Sequence, residues 1–162
     1  MTEEQSKKGQ KDELEISPHK SYQVIFLRLL RQLAIVDDLL RQIRKAILDL
    51  QEWNRDIQDA DDWLTSSDGM KTLAASCMLI EAIGEGYRNI DERTSGQLLA
   101  HRPEIPWRQV IGMRNRIAHG YFDINAEFVW DIVQNDLAPL LYATQFFLDN
   151  LYSIIPADDS VK

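Results

Sequence analysis

Residues 22–50 read YQVIFLRLLRQLAIVDDLLRQIRKAILDL, and the spacing within them decides the fold class. Tyr22, Phe26, Leu29, Leu33, Val36, Leu40, Ile43, Ile47 and Leu50 recur at alternating steps of four and three. That is a heptad seam four repeats long, the pattern of one helix burying one face. A second row at Ile25, Leu30, Ile35, Leu39 and Leu48 widens the face. A helix of ~30 residues is ~45 Å long, so partners of similar length must lie along it. Just upstream, Ser17 and Pro18 supply an N-cap and a proline suited to the first helical position.

The rest of the chain supplies those partners. Met70, Leu73, Cys77, Ile80, Gly84 and Tyr87 keep helical spacing from Met70 to about Ile90, and Ala74, Ala75, Gly84 and Gly86 are small enough for a close helix contact. Thr94 to Ala100 fits a short helix ended by Arg102-Pro103. Ile105-Pro106-Trp107 opens another, expected to run to His119 and stop at Gly120 as a C′ glycine. Asn125 caps a last long helix carrying Phe128, Val133, Leu137, Leu141, Phe147 and Leu151, which Pro139 should kink. No stretch reads as a strand. The expected architecture is an all-α antiparallel helical bundle of four to five helices spanning residues 17–155. A flexible charged tail at 1–16 and a C-terminal tail at 156–162 flank it. The acidic stretch from Glu52 to Asp68, with Trp53 and Trp63, reads as a solvated linker with one helical turn at most.

Composition sets the limits on function. One hundred and sixty-two residues, 44% hydrophobic and 27% charged, suffice for a single core. The single cysteine, Cys77, excludes an internal disulfide and a cysteine-based zinc site. His19, His101 and His119 are too far apart in sequence to suggest a His-rich metal centre. No apolar run approaches the ~20 residues of a membrane span, and the polar N-terminus lacks a signal-peptide core. These features point to a soluble cytoplasmic protein without a membrane partner. A net charge of −8 argues against general coating of nucleic acid. The charge is uneven, however. Asp49 to Asp68 holds seven acids and one base, whereas His101 to Tyr121 holds four arginines and one acid, which leaves room for a local phosphate site.

One constellation carries chemistry. Arg114-Asn115-Arg116-Ile117-Ala118-His119-Gly120-Tyr121 places arginines, an amide, an imidazole and a phenol within eight residues. An arginine is always charged and can hold two phosphate oxygens at once, and a histidine can move a proton near neutrality. On a continuous helix Asn115 and His119 share a face, and Arg114 lies ~140° around from His119. Taken by spacing alone, two surface cations near a helix end and a capping histidine are the simpler reading.

The surroundings reverse that balance. Glu104-Ile105-Pro106-Trp107-Arg108, then Gly112-Met113-Arg114-Asn115-Arg116-Ile117-Ala118-His119-Gly120-Tyr121-Phe122, resembles the HEPN domain of HepT-type toxins. The likeness continues through Val129-Trp130, Val133 and Asn135-Asp136-Leu137-Ala138-Pro139-Leu140, and upstream through Ile80–Glu85, so that it covers roughly residues 79–141. The resemblance implies a dimerising helical bundle, a metal-independent ribonuclease needing no cofactor, and a minimal nucleotidyltransferase antitoxin as partner. It places the catalytic groups on Arg114, Asn115 and His119, with Arg116 as a supporting basic contact. It makes Tyr121 the acceptor of AMP. RNA products would end in a 2′,3′-cyclic phosphate. The alternative is a non-catalytic nucleotide- or substrate-binding subunit of a two-component nucleotidyltransferase. Two features depart from the usual pattern: a longer charged extension before Tyr22 and an enlarged acidic Trp53–Trp63 segment.

Overall fold

A computed structural model describes residues 18–117 and 121–155. The two proposed tails and the segment Ala118–Gly120 therefore lie outside the described residues. The fold is all-α, with no strand among the described residues.

The heptad seam forms α1, Pro18–Trp53, with Pro18 at its first position as expected. Its buried positions are Leu33, Val36, Leu40, Ile43, Ile47 and Leu50, the C-terminal two-thirds of the seam. Tyr22 and Phe26, at the front of the same seam, are exposed, as are Ile25, Leu30 and Leu48 of the second row. The expectation of partners of similar length along the whole helix is therefore corrected: its first turns extend beyond them.

The two long partners run opposite to α1. Helix α3, Ser67–Arg93, meets it from Ser76 near Asn54, through Gly86 against Ile43, to Arg93 hydrogen-bonded to Gln32. Helix α7, Leu137–Ile154, meets it with Gln145 accepting from Arg44 at 2.9 Å, and its end at Ile155 shares a small cavity with Leu29, Leu33 and Val36. Between α3 and α7 the buried Tyr87 hydroxyl bonds to Thr144, whose own hydroxyl donates to the Leu140 carbonyl. Burial pushes the Tyr87 phenol well above its ordinary pKa, so it stays a neutral donor.

The acidic stretch is more ordered than a linker. Asp59 and Asp62 form a reciprocal capping box on α2, Ala60–Leu64, which buries Trp63 completely. The Trp63 indole donates to Asn54 Oδ1 at 2.9 Å, and Asn54 Nδ2 donates to the Leu50 carbonyl and to Ser76 Oγ. Ser66 then caps α3 through the Gly69 amide. A Cβ on Gly69 would sit 2.5 Å from the Trp63 carbonyl oxygen, so only glycine permits this approach. The charges of Glu52–Asp68 remain outward while Trp63 pins the segment to the bundle. The short helix expected over Thr94–Ala100 is a turn followed by a single 3-10 turn, Leu99–His101.

The last helix is continuous in direction but not in type. Asn125 caps α6, Ala126–Asp131, by accepting from the Phe128 amide. A π turn, Ile132–Asp136, follows and passes into α7. Pro139 cannot donate to the carbonyl four residues back. The perturbation expected from that proline takes the form of the wider turn immediately before it.

Candidate nuclease site

The helix expected from Trp107 to His119 is broken. Helix α4, Trp107–Ile111, ends at Gly112, and a separate single-turn α5, Arg114–Ile117, begins beyond Met113. The buried face runs through the break. Val110, Met113 and Ile117 are all buried, and α4 lies so close to α3 that a Cβ on Gly84 would be 3.0 Å from the Val110 carbonyl oxygen. Steps of three and four keep all three on one face, so the core contact is the same on both sides of the break. Trp107 anchors the entry: its indole donates to the Arg102 carbonyl, and its ring lies 4.8 Å from that of Tyr87.

Arg114, Asn115 and Arg116 form the exposed part of α5, held in place by Ile117 beneath them. The Asn125 amide donates to the Ile117 carbonyl at 2.9 Å, which ties the start of α6 to the end of α5. Among the described residues no carboxylate pairs with Arg114, so its guanidinium is available to an anion. Arg116 is engaged differently: its guanidinium lies 4.2 Å from the centre of the Phe128 ring. His119 lies outside the described residues. Tyr121 begins a 3-10 turn, Tyr121–Asp123, directly after that segment. The chain thus brings Arg114, Asn115 and Arg116 to one exposed turn, with Tyr121 on the stretch leading to α6.

Sequence reasoning missed the cleft beside this turn, about 280 Å³ in volume. Arg116, Phe128, Pro106 and Gln109 line it, with Asp131 at the end of α6 and Asp136 in the π turn. Burial and the neighbouring Asp131 raise the Asp136 pKa. A 3.6-residue period does not predict that two residues five apart line one cleft. The π turn, with its i to i+5 bonding, brings them there.

Comparison with known proteins identifies the family. The family described as "Ribonuclease HepT-like" matches residues 36–146. A Thermococcus cleftensis protein named "Probable ribonuclease HepT" is 33% identical over 103 residues, 64% of this chain and 86% of that protein. A Methanocaldococcus jannaschii protein, whose name describes it as a candidate RNase, is 32% identical over 98 residues, 59% of this chain and 78% of that one. No solved structure matches the chain. No helix among the described residues is long and apolar enough to cross a membrane. The matched region contains α3, α4, the turn carrying Arg114 to Arg116 and the capped start of α6 at Asn125, and by that match the chain belongs to the HepT-like ribonuclease family.

Proposed function

We propose that this chain is a metal-independent RNA endonuclease whose site is built from Arg114, Asn115 and His119. The observation that carries the reading is the placement of Arg114: an exposed guanidinium without a carboxylate partner among the described residues, on a turn fixed from below by buried Ile117. An arginine so held can grip a scissile phosphate and offset the charge that develops on its oxygens. His119 moves the protons. The ribose 2′-oxygen attacks phosphorus as it loses its proton, the bond to the 5′-oxygen breaks, and that oxygen takes up a proton. The products are a 2′,3′-cyclic phosphate and a 5′-hydroxyl. Asn115 orients the imidazole or the substrate, and Arg116 adds positive field. One motif offers one imidazole. A homodimer with two motifs facing one groove supplies a separate base and acid.

In the same reading the enzyme is the toxin of a toxin–antitoxin pair. A minimal nucleotidyltransferase neutralises it by transferring AMP from ATP to the Tyr121 phenol oxygen with release of pyrophosphate. The added phosphodiester competes for Arg114, and the adenosine fills the groove. The test is cleavage of RNA by the purified protein in EDTA, with His119→Ala and Arg114→Ala alongside. Cyclic-phosphate ends made by the native chain alone are expected. Intact RNA, or equal cutting by His119→Ala, overturns the nuclease and favours a binding subunit. Co-expression with the transferase should add one AMP to the intact mass, and Tyr121→Phe should abolish that increment. An increment that persists in Tyr121→Phe removes this tyrosine from the mechanism.

A further inference from the structure

We propose that the projecting first turns of α1 are a homotypic docking segment, pairing antiparallel with the same segment of a second copy. Residues 18–28 are all exposed, although they continue the seam that downstream forms the core. Eleven helical residues reach ~16 Å beyond the bundle. Tyr22, Ile25 and Phe26 are each 50–55% exposed, and Leu30 is 41% exposed. The segment lies before residue 36, where the family match begins.

The chain itself has little to cover this face. Among the described residues the bundle first covers α1 near Leu29, where Thr94, Ser95, Gln97 and Ile155 line a cavity with Leu33 and Val36. The only large apolar residues in 1–17 are Met1, Leu14 and Ile16, and 156–162 offers only Val161. Neither matches a seam of two aromatic and several aliphatic side chains.

Charge selects the occupant. In the heptad, the positions flanking the seam are Gln23, Ile25, Leu30 and Gln32, none of them charged. Arg28 and Arg31 fall on the opposite side. Two copies can therefore close on one another without setting like charges across the contact, whereas an acidic partner would find no cation beside the seam. Sterics select the direction. From Leu33 onward α3 and α7 occupy the seam face. A parallel partner continuing past its own Leu33 would run into them. An antiparallel partner places its tip near Thr94–Gln97 and its own bundle at the far end. Four side chains from each copy bury on the order of 800 Å² in total, the size of a weak, concentration-dependent contact.

The test is sedimentation velocity of the full chain across a hundredfold concentration range, beside Ile25→Glu/Phe26→Glu. The wild type should double in mass relative to the variant at the upper end. RNA cleavage and melting temperature should be the same for both, since these side chains touch neither core nor site. In parallel, Phe26→Cys should cross-link between copies with a short bismaleimide, and Met78→Cys on the exposed side of α3 should not. Equal masses for wild type and variant at every concentration overturn the proposal. So does binding of the wild type to anionic lipid vesicles without self-association, which would make the segment a membrane-surface helix.

Discussion

Replacing Asn54 by alanine should destabilise the protein far more than its place in an acidic, polar stretch suggests. Asn54 is 4% exposed and makes three side-chain hydrogen bonds, each 2.9 Å long: to the Leu50 carbonyl, to Ser76 Oγ and from the Trp63 indole. Three net bonds contribute about 3 kcal/mol, and stranding the fully buried indole N–H adds roughly 1 kcal/mol or more. At about 3 °C per kcal/mol for a chain of this size, the melting temperature should fall by ~10 °C. Ser76→Ala removes only one of the bonds and leaves Asn54 Nδ2 on the Leu50 carbonyl, so it should cost about 1 kcal/mol, or ~3 °C. Calorimetry of the two variants beside Trp53→Ala, an exposed aromatic of the same stretch, measures the contrast. If Asn54→Ala melts within a degree or two of Ser76→Ala, the asparagine does not hold α2 to α3 and the reasoning fails.

Four further outcomes concern the site and core. Arg116→Ala should lose a cation–π contact worth about 0.5–1 kcal/mol and melt slightly lower, with cleavage reduced about tenfold or less. Arg114→Ala should melt as wild type and lose about a hundredfold or more in cleavage, and a reversed order in an RNA cleavage assay would exchange their roles. Gly84→Val should cost about 2–3 kcal/mol, because its side chain meets the Val110 and Ile111 carbonyls. At temperatures where it remains folded by circular dichroism it should still cleave poorly, since α4 carries α5; full cleavage would show that the two helices move independently. Burial, with a smaller contribution from Glu81, pushes the Cys77 thiol up to about 11 from 9.0. The folded chain therefore holds this proton more tightly than the unfolded chain, and stability from this group is complete below pH 9 and lost as pH rises toward 11. Urea titrations should show a steeper loss over that interval for wild type than for Cys77→Ala, and parallel curves would contradict it.

The parts of the fold that obey one period were legible in advance. The seam from Leu33 to Leu50 and the stripe through Leu73, Cys77, Ile80 and Tyr87 are buried as their spacing requires. The proline at the start of α1 and the asparagine cap before α6 also stand where expected. What escaped was decided by contact between distant segments. Periodicity marks Tyr22 and Phe26 as it marks Leu40, but α3 and α7 end before reaching them. Trp63 sits among acids, yet a reciprocal cap and Asn54 draw it inside. At the site, the chemical residue types at Arg114 to Arg116 could be read from the motif together with its surroundings. The break at Gly112 could not, because Val110, Met113 and Ile117 keep the spacing of an unbroken helix across it.

The π turn has a mechanical consequence. The stripe through Val129, Ile132, Leu137, Leu140, Thr144, Phe147 and Leu151 is buried, with one step of five among steps of three and four, and Ala143 is buried beside Thr144. An unbroken α-helix would rotate everything after Asp136 by ~100° relative to what precedes it, and one of the two stripes would face water. The wider turn acts as a phase shifter on a single rod. Before it, the rod packs on α2 and α5; after it, on α1. The turn carrying Arg114 is thus geared to the main bundle through one stiff element. Deleting Gln134 would leave steps of three and four throughout, so an unbroken α-helix could keep both stripes aligned. The site turn would stay coupled to the bundle, and only the five-residue turn that lines the cleft would be lost.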